Sequence, residues 1–323
     1  MRMQMLARPD YRRMRLRKMR ISSVLRALPD VELRWDEPLS RHTTFRVGGP
    51  VQCLARPRSE KALAILLNEV RERDIPLIVL GGGSNVLPPD GPLDAMVLQL
   101  NLSCNKLFRF HESGGGVTFL YSGAGVGLQE VLRYCLRGEL EGLEPLAGIP
   151  GTVGGALVMN AGTPSGCISD ILLWIDLVDE GGEKRRVPRD DLSPAYRSMG
   201  LREGVVVVGG CFSLKKGSGE AQRARVKEIL ERRKKIQPLS FPSAGSIFRN
   251  PPGHAAWELI EKAGMKGLRV GDAEVSHKHA NWIINRGNAR SSDIMELIRK
   301  IEKEVFGTFG VRLEREIRIL GQS

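Results

Sequence analysis

Apolar positions in the early part of the chain recur with two different periods. Behind Ser59, a residue type that caps helices, they follow helical spacing at Leu63, Leu66, Leu67 and Val70. Short apolar runs at residues 51–55 and 77–80 flank this helix and have the length of strands. The pattern predicts a β-α-β unit.

Strand-like runs dominate the middle of the chain. We predict strands at residues 96–100, 117–121, 156–160, 172–179 and 205–214. The polar turn Asp179–Glu183 joins two of them. The glycines of residues 123–127 precede a helix predicted over 128–136, but they miss the dinucleotide-binding fingerprint because Leu128 occupies its sixth position. We interpret this segment as a turn.

The last part of the chain mixes helices and strands. The pattern predicts helices at 220–235, 255–263 and 293–306, and strands at 281–285 and 311–320. The first of these helices ends before Pro238, and its inward positions are Val226, Ile229 and Leu230. Either Ser291 or Ser292 would cap the last helix.

Length and pattern together predict several folded units. At 323 residues the chain exceeds the usual size of a single hydrophobic core. We therefore expect a mixed α+β protein with a basic N-terminal extension at 1–26 and three units at 27–92, 93–219 and 220–323.

The formal net charge of +12 is concentrated at the N-terminus. Residues 1–26 hold nine basic residues against the single acid Asp10, which accounts for +8 and leaves +4 for the remainder. The extension is open to three interpretations: an RNA or membrane-surface tether, an organelle transit peptide, or an artefact of start-site choice among several methionines. We favour an appendage without catalytic role and expect no nucleic-acid partner.

Cysteine and histidine usage argues against disulfides and metals. Five cysteines are scattered without a C-x-x-C pair, and the close pair His277 and His279 has no cysteine or carboxylate cluster beside it. No apolar run has the length of a membrane span or of a signal-peptide core. We therefore expect a cytoplasmic, monomeric protein without a metal or a membrane partner.

Two glycine-rich runs carry the first chemical signal. One is Gly81-Gly82-Gly83-Ser84-Asn85, directly after an apolar run, and the other spans residues 147–156 with four glycines. Glycines let a ligand approach the main chain and admit the positive φ angles at which amides converge on an anion. Either run alone is typical of a tight turn, but the two together indicate the pyrophosphate of a dinucleotide. No lysine follows the first run, which argues against a nucleotide triphosphatase.

Seven short blocks, one of which places Ser246 on a glycine-flanked turn, carry a resemblance to a known family. They stand in the order found in the UDP-N-acetylenolpyruvoylglucosamine reductase (MurB) family, which the chain resembles over residues 27–321. The blocks are residues 41–49 (RHTTFRVGG), 81–85 (GGGSN), 148–156 (GIPGTVGGA), 160–162 (NAG), 196–198 (YRS), 244–251 (AGSIFRNP) and 316–321 (EIRILG).

The resemblance implies an FAD enzyme. Members of this family reduce the enolpyruvyl ether of UDP-N-acetylglucosamine to UDP-N-acetylmuramate with NADPH, in peptidoglycan precursor synthesis. The implied fold has a two-domain FAD-binding module of the vanillyl-alcohol-oxidase (PCMH) type and a third α+β domain that binds the substrate. Tyrosines occur only at 11, 121, 134 and 196. The chain thus resembles the shorter class, which lacks a tyrosine-bearing loop, and the sequence does not identify the residues that hold the uridine end.

The resemblance assigns catalytic roles to Arg197, Ser246 and Glu316. Strand periodicity alone cannot choose between Glu314 and Glu316, because alternate residues share a face. The residues implied for FAD are Arg46, Gly81, Gly82, Gly83, Ser84, Asn85, Gly148, Ile149, Pro150, Gly151, Gly155, Ala156, Asn160 and Ala161. The residues implied for the substrate are Tyr196, Arg249, Asn250 and His279.

The three catalytic residue types suit this chemistry. Hydride delivered to one alkene carbon leaves carbanion character on the next carbon, which needs a cation and a proton. Arg197 can hold the substrate carboxylate, Ser246 can donate the proton, and Glu316 can hydrogen-bond the enolate end or orient the proton donor. Two alternatives remain: an FAD oxidase of the same fold, acting on an alcohol or lactone, would need no such acid, and a nucleic-acid-binding protein would use only the basic extension.

Overall fold

The described residues form three folded units around a cleft. A computed structural model describes residue 28 and residues 30–100, 107–111 and 116–321, so the predicted extension at 1–26 lies outside the described residues. Within these ranges, none of the helices has both the length and the apolar character of a membrane span. Over the same residues, His, Cys, Asp and Glu side chains nowhere cluster in threes as a metal ion would require.

The first unit is a mixed sheet. Its elements are β1 (Val31–Pro38), β2 (Pro50–Pro57), α1 (Glu60–Glu72), β3 (Leu77–Val79), β4 (Val86–Leu87) and β5 (Leu93–Leu98). The sheet is ordered β1-β2-β5-β3, antiparallel between β1 and β2 and parallel elsewhere. The Ser59 hydroxyl accepts a hydrogen bond from the Ala62 amide at 3.2 Å, and α1 buries Leu63 and Leu66. The predicted β-α-β unit is confirmed.

The second unit is an antiparallel sheet with helices packed on it. Its elements are β6 (Leu107–His111), β7 (Val117–Gly123), α2 (Leu128–Gly138), β8 (Leu140–Glu141), α3 (Val153–Val158), β9 (Gly162–Thr163), β10 (Gly166–Cys167), β11 (Leu172–Val178), β12 (Lys184–Pro188), β13 (Val206–Lys216) and α4 (Gly219–Ile236). The sheet is ordered β12-β11-β13-β7-β6, and β8 also pairs with β13. Leu120, Leu157 and Phe212 are fully buried in its core.

The third unit is small and returns the chain to the first. Its elements are α5 (Ala256–Lys262), β14 (Arg269–Val270), β15 (Ala273–Val275), β16 (Ile283–Asn285), α6 (Ser291–Phe309) and β17 (Arg318–Ile319). Strands β14, β15 and β16 form an antiparallel sheet, whereas β17 pairs in parallel with β4 of the first unit. This return brings the residues just before β17 to the cleft.

Residues 156–160 are not the predicted strand, because Ala156 to Val158 belong to helix α3. The Thr152 hydroxyl accepts a hydrogen bond from the Gly155 amide at 3.4 Å and so caps this helix. A short apolar run does not distinguish a buried helix from a strand by itself. Here the cap decides the outcome.

Two predicted unit boundaries differ from the structure. Strand β5 follows the boundary at 92 but lies inside the first sheet, between β2 and β3. Helix α4 follows the boundary at 219 but packs on the second unit, where the Gln222 side-chain amide donates to the Leu140 carbonyl at 2.6 Å and Val226 joins the core. Leu230, predicted to face inward, is 42% exposed.

Helix α6 is capped by a residue from another unit. Its N-cap position is Arg290, so the predicted caps Ser291 and Ser292 lie in the first turn. Their amides donate to the Asp90 carboxylate at 2.7 and 2.9 Å. A carboxylate at a helix N-terminus is electrostatically favourable, and here it ties the third unit to the first.

Candidate active site

A long cleft runs between the three units. Its volume is about 1560 Å³, which exceeds the roughly 300–1,000 Å³ of most ligand pockets. Both glycine-rich loops line it, and so do residues of the segment 237–249. The cleft therefore has room for more than one ligand at a time.

The two glycine-rich loops pack backbone against backbone. A Cβ placed on Gly82 would lie 2.7 Å from the Gly151 Cα, and one placed on Gly83 would collide with the His42 carbonyl. The Ser84 hydroxyl donates to the Pro150 carbonyl at 3.3 Å and so joins the loops. Packing within the protein therefore requires glycine at positions 82 and 83.

Gly155 is a glycine that the protein's own packing does not require. It lies in the first turn of α3, and the nearest atom to a Cβ built on it is the Thr152 Oγ1 at 3.6 Å, an ordinary contact. Alanine is favoured over glycine in a helix by about 1 kcal/mol. A ligand lying against the cleft side of this turn would explain the missing side chain.

Gln129 holds the second glycine-rich loop and was not predicted. Its side-chain NH₂ donates to the Ile149 carbonyl at 2.8 Å and to the Leu146 carbonyl at 3.1 Å, while its carbonyl accepts from the Gly148 amide at 3.0 Å. A glutamine in an amphipathic helix looks like any surface residue in the sequence. Only the fold shows that it faces the loop.

The three predicted catalytic residues all line the cleft. The Arg197 Nε donates to the Glu316 Oε1 at 2.6 Å, and its Nη1 donates to the Gly162 carbonyl at 3.2 Å. The Glu316 amide donates to the Ile247 carbonyl at 2.8 Å, which ties Glu316 to the residue after Ser246. Three segments that are distant in sequence thus meet at one place.

Geometry separates Glu316 from Glu314. The Glu316 side chain is 12% exposed and pairs with Arg197, whereas the Glu314 side chain is 78% exposed and lies 3.8 Å from Arg249. Burial raises the pKa of Glu316, and the Arg197 charge and hydrogen bond oppose this shift only in part. Glu316 therefore keeps its proton to a higher pH than an ordinary glutamate does.

Arg197 is held in a strained turn. Its φ is 60°, in the left-handed region, between Ala195 and Ser198, whose main chains exchange hydrogen bonds of 2.9 and 3.1 Å. The Asn160 side chain donates to the Ala195 carbonyl at 3.1 Å, and the Tyr196 ring lies 4.9 Å from the Arg197 guanidinium. Such backbone outliers cluster at functional sites.

The structure divides the other predicted site residues into two groups. The residues that line the cleft are Gly81, Gly82, Gly83, Ser84, Asn85, Gly148, Ile149, Pro150, Gly151, Gly155, Ala156, Ala161 and Arg249. Those that the structure places outside its wall are Arg46, Asn160, Tyr196, Asn250 and His279.

The residues outside the wall have other contacts. Arg46 is exposed, while Asn160 and Tyr196 contact the turn around Arg197, as described above. The Asn250 side-chain Oδ1 accepts from the Ala256 amide at 3.0 Å, at the start of α5. His279 lies near the rings of Trp257 and Trp282, with centroids 6.3 and 6.1 Å away.

Arg233 is a cleft residue that sequence reasoning missed. Its Nε lies 2.8 Å from the Cβ position of Gly148 and has no hydrogen-bond partner. No carboxylate of the described residues pairs with it, and burial lowers the pKa of its guanidinium. A half-buried cation without a counter-ion among the described residues suits an anionic ligand. In the sequence Arg233 stands within a run of four basic residues, so nothing local distinguishes it from its neighbours.

Cations outnumber anions along the cleft. Its acidic residues are Asp74, Glu180, Glu203 and Glu316. Its arginines are Arg56, Arg71, Arg197, Arg202, Arg233, Arg249 and Arg318. A positively charged cleft raises the local concentration of polyanionic ligands.

Comparison with known proteins agrees with this geometry. Residues 51–187 match the FAD binding domain family, and residues 237–320 match the C-terminal domain of UDP-N-acetylenolpyruvoylglucosamine reductase. The chain is 54% identical over 299 residues to the UDP-N-acetylenolpyruvoylglucosamine reductase of Syntrophobacter fumaroxidans, covering 92% of this chain and 86% of that relative. It is 42% identical over 287 residues to the reductase of Moorella thermoacetica, covering 89% and 93%.

A solved structure of the same name is also similar. The crystal structure of the enzyme from Thermus caldophilus superimposes with a TM-score of 0.75 at 35% identity, covering 90% of this chain and 98% of that one. Fold and cleft thus define an FAD-dependent oxidoreductase of mixed α and β structure, with an FAD-binding domain and a C-terminal α+β domain, as the predicted fold class required. Within that class, the chain belongs to the UDP-N-acetylenolpyruvoylglucosamine reductase family. The resemblance drawn from the seven sequence blocks is confirmed.

Proposed function

We propose that this protein reduces UDP-N-acetyl-3-O-(1-carboxyvinyl)-glucosamine to UDP-N-acetylmuramate with NADPH, a step of peptidoglycan precursor synthesis. The observation that carries the proposal is the meeting of Ser246 and the Arg197–Glu316 pair in the cleft lined by the glycine-rich loops. Membership of the family supports the choice of substrate. We further propose that the enzyme acts as a monomer in the cytoplasm, without a membrane or nucleic-acid partner.

The glycine-rich loops fit FAD. The close approach of Gly82 and Gly151 leaves only main chain at the centre of this wall, and Gly155 leaves open the space that a side chain would fill. FAD, when bound, would take hydride from NADPH and supply it to the substrate alkene. Arg233, beside Gly148 and without a counter-ion, suits a phosphate of a bound ligand.

Arg197 would hold the substrate carboxylate. Its Nε is engaged by Glu316 and its Nη1 by the Gly162 carbonyl, which fixes the plane of the guanidinium. A fixed guanidinium can present its other N–H groups to a carboxylate and stabilise charge that develops on it. The Arg197 guanidinium would not have to reorient when negative charge develops on the substrate carboxylate.

Ser246 and Glu316 would manage the proton. The Ser246 hydroxyl would donate to the carbanion carbon as hydride arrives on its neighbour. Glu316, whose pKa is raised by burial, would hydrogen-bond the enolate end. The hydrogen bond from the Glu316 amide to the Ile247 carbonyl fixes the position of Glu316 relative to Ser246.

The proposal is tested by following NADPH absorbance with the purified flavoprotein. We expect NADPH oxidation to depend on the enolpyruvyl UDP-sugar. The matched control is UDP-N-acetylglucosamine, which lacks the enolpyruvyl group and should support no turnover. Equal NADPH oxidation with both sugars would contradict the proposal, and oxygen uptake with an alcohol or lactone would favour the oxidase alternative.

A further inference from the structure

A chain of polar side chains connects strands β1 and β2 to the first glycine-rich loop. The His42 Nε2 lies 2.8 Å from the Glu37 Oε1, and the Arg56 Nη2 lies 3.4 Å from the His42 Nδ1. The Arg56 Nη2 also donates to the Gln99 Oε1 at 2.7 Å, and the Gln99 Nε2 donates to the Gly81 carbonyl at 3.5 Å. The proposed reaction assigns no role to the four side chains.

The donors and acceptors of this chain fit in only one way. Arginine can only donate, so the His42 Nδ1 must accept, and the proton of the neutral ring lies on Nε2, where it is donated to Glu37. For the same reason the Gln99 oxygen must face Arg56, which directs its NH₂ group to Gly81. The Arg56 guanidinium thus determines both the tautomer of His42 and the orientation of the Gln99 amide that touches the loop.

We propose that Glu37, His42, Arg56 and Gln99 are positioning residues for the FAD-binding loop at residues 81–85. This inference rests on the assignment of that loop to FAD. Three successive glycines have little conformational preference of their own, so contacts from outside must order them.

Those contacts come from both ends of the triplet. Gln99 holds the Gly81 carbonyl, and the Thr44 amide and hydroxyl hold the Gly83 carbonyl at 3.0 and 3.3 Å. His42 lies two residues before Thr44, so one short segment serves both ends. Arg56 and Gln99 also line the cleft, which puts the chain at the edge of the proposed FAD site.

Charged groups flank the chain on both sides. The hydrogen bond from His42 lowers the pKa of Glu37, and the nearby charges of Arg34 and Arg41 act in the same direction. Glu32 lies 3.7 Å from the Arg56 Nη1. The Arg56 guanidinium has only donors to offer, so the link to His42 requires an acceptor at the Nδ1 position.

The test measures FAD release from the holoenzyme by the rise in flavin fluorescence on dilution. Gln99→Met and His42→Leu should release FAD about tenfold faster, because each removes a hydrogen bond of the chain. His42→Asn, whose carbonyl can replace Nδ1 as acceptor, should stay within about threefold of the native rate. Arg73→Gln is the matched control: it removes an arginine of the same unit that pairs with Glu69, outside the chain, and should leave the rate unchanged.

Rescue by a conservative variant distinguishes positioning from simple structural support. His42→Leu and His42→Asn both remove the imidazole ring, but only asparagine keeps an acceptor for Arg56. Fast release in His42→Leu together with near-native release in His42→Asn would therefore trace the effect to this hydrogen bond.

Two results would overturn the inference: native release rates in Gln99→Met, or equal release rates in His42→Leu and His42→Asn. If Gln99→Met does not fold, the comparison of the two His42 variants still decides. Since the assay needs bound flavin but no substrate, a failed reductase assay leaves it interpretable, whereas a protein without flavin would refute the FAD assignment itself.

Discussion

The two walls of the cleft differ in which part of the protein forms them: main chain on one side and side chains on the other. On the cofactor side, main chain meets main chain, as at Gly82 and Gly151. On the catalytic side, the side chains of Arg197, Ser246 and Glu316 converge from segments far apart in sequence. Adding side-chain atoms to the main-chain wall should therefore disrupt flavin binding, whereas removing functional groups from the side-chain wall should slow the reaction. The following substitutions break or sharpen this comparison.

The largest effect is expected from bulk on the cofactor side. Gly82→Val places carbon against the Gly151 main chain, and Gly151→Val must adopt a φ of 111°, which a β-branched residue resists. Both should purify without flavin. Because the loops also pack on each other, Gly82→Val should lower the free energy of unfolding by about 1–3 kcal/mol. Flavin content by absorbance and denaturant unfolding are the measurements, and full flavin in both variants would contradict the loop assignment.

Removing one hydroxyl from the catalytic side should be nearly as severe for the rate. Ser246→Ala should leave flavin reduction by NADPH near normal while slowing flavin reoxidation by the substrate about 10²-fold, as expected for loss of a general acid. Ser246→Cys should restore part of the rate, because a thiol can also donate. Stopped-flow absorbance separates the two half-reactions. Slowed reduction with intact reoxidation would instead place Ser246 at the nicotinamide.

Glu316→Gln with Glu314→Gln as control is a matched pair. The first replaces the carboxyl group paired with Arg197 and should slow reoxidation by about tenfold, an increase of roughly 1.4 kcal/mol in the barrier. The second changes an exposed carboxylate and should do little. The same stopped-flow assay measures both, and equal effects would remove the distinction that burial draws between them.

Gly155→Ala is the sharpest test of what the cofactor wall needs. The added methyl group meets nothing closer than the Thr152 Oγ1 at 3.6 Å, so the protein without flavin should gain up to about 1 kcal/mol of stability from helix propensity. FAD affinity should nevertheless fall by about tenfold if the cofactor lies against this turn. Unfolding of the apoprotein and fluorescence titration with FAD separate the two effects. Unchanged affinity would show that FAD lies elsewhere.

The smallest effect concerns pH. Because burial raises the pKa of Glu316 in the folded protein, its contribution to stability is fully present below its ordinary value of 4.5 and is lost as the pH rises through the raised value. The unfolding temperature of the native protein should therefore fall relative to that of Glu316→Gln as the pH rises through this window. Thermal unfolding over a pH series measures it, and a constant difference would contradict the assigned direction.

Much of the fold followed from local patterns. The capped helix α1 and the strands around it were predictable because Ser59 and a helical apolar stripe lie in one short segment. Segment 156–160 was predicted wrongly, because its apolar run suits a strand and a buried helix equally well until the Thr152 cap is considered. The cap of α6 could not be predicted, because Asp90 is distant in sequence and reaches the helix only through the fold.

The sequence by itself determined which chemical groups are available to this protein. These are two glycine-rich loops, an arginine, a serine and a glutamate, in the order found in the reductase family. These are properties of residue type and of short spacing, which need no folded chain to be recognised. Tertiary structure alone decided which groups share one environment. It buried Glu316 beside Arg197 and exposed Glu314, brought Gln129 to the second loop, and placed Arg233 against Gly148. Burial, charge pairing and hydrogen-bond partners depend on contacts between distant segments, and the order of residues does not specify these contacts locally.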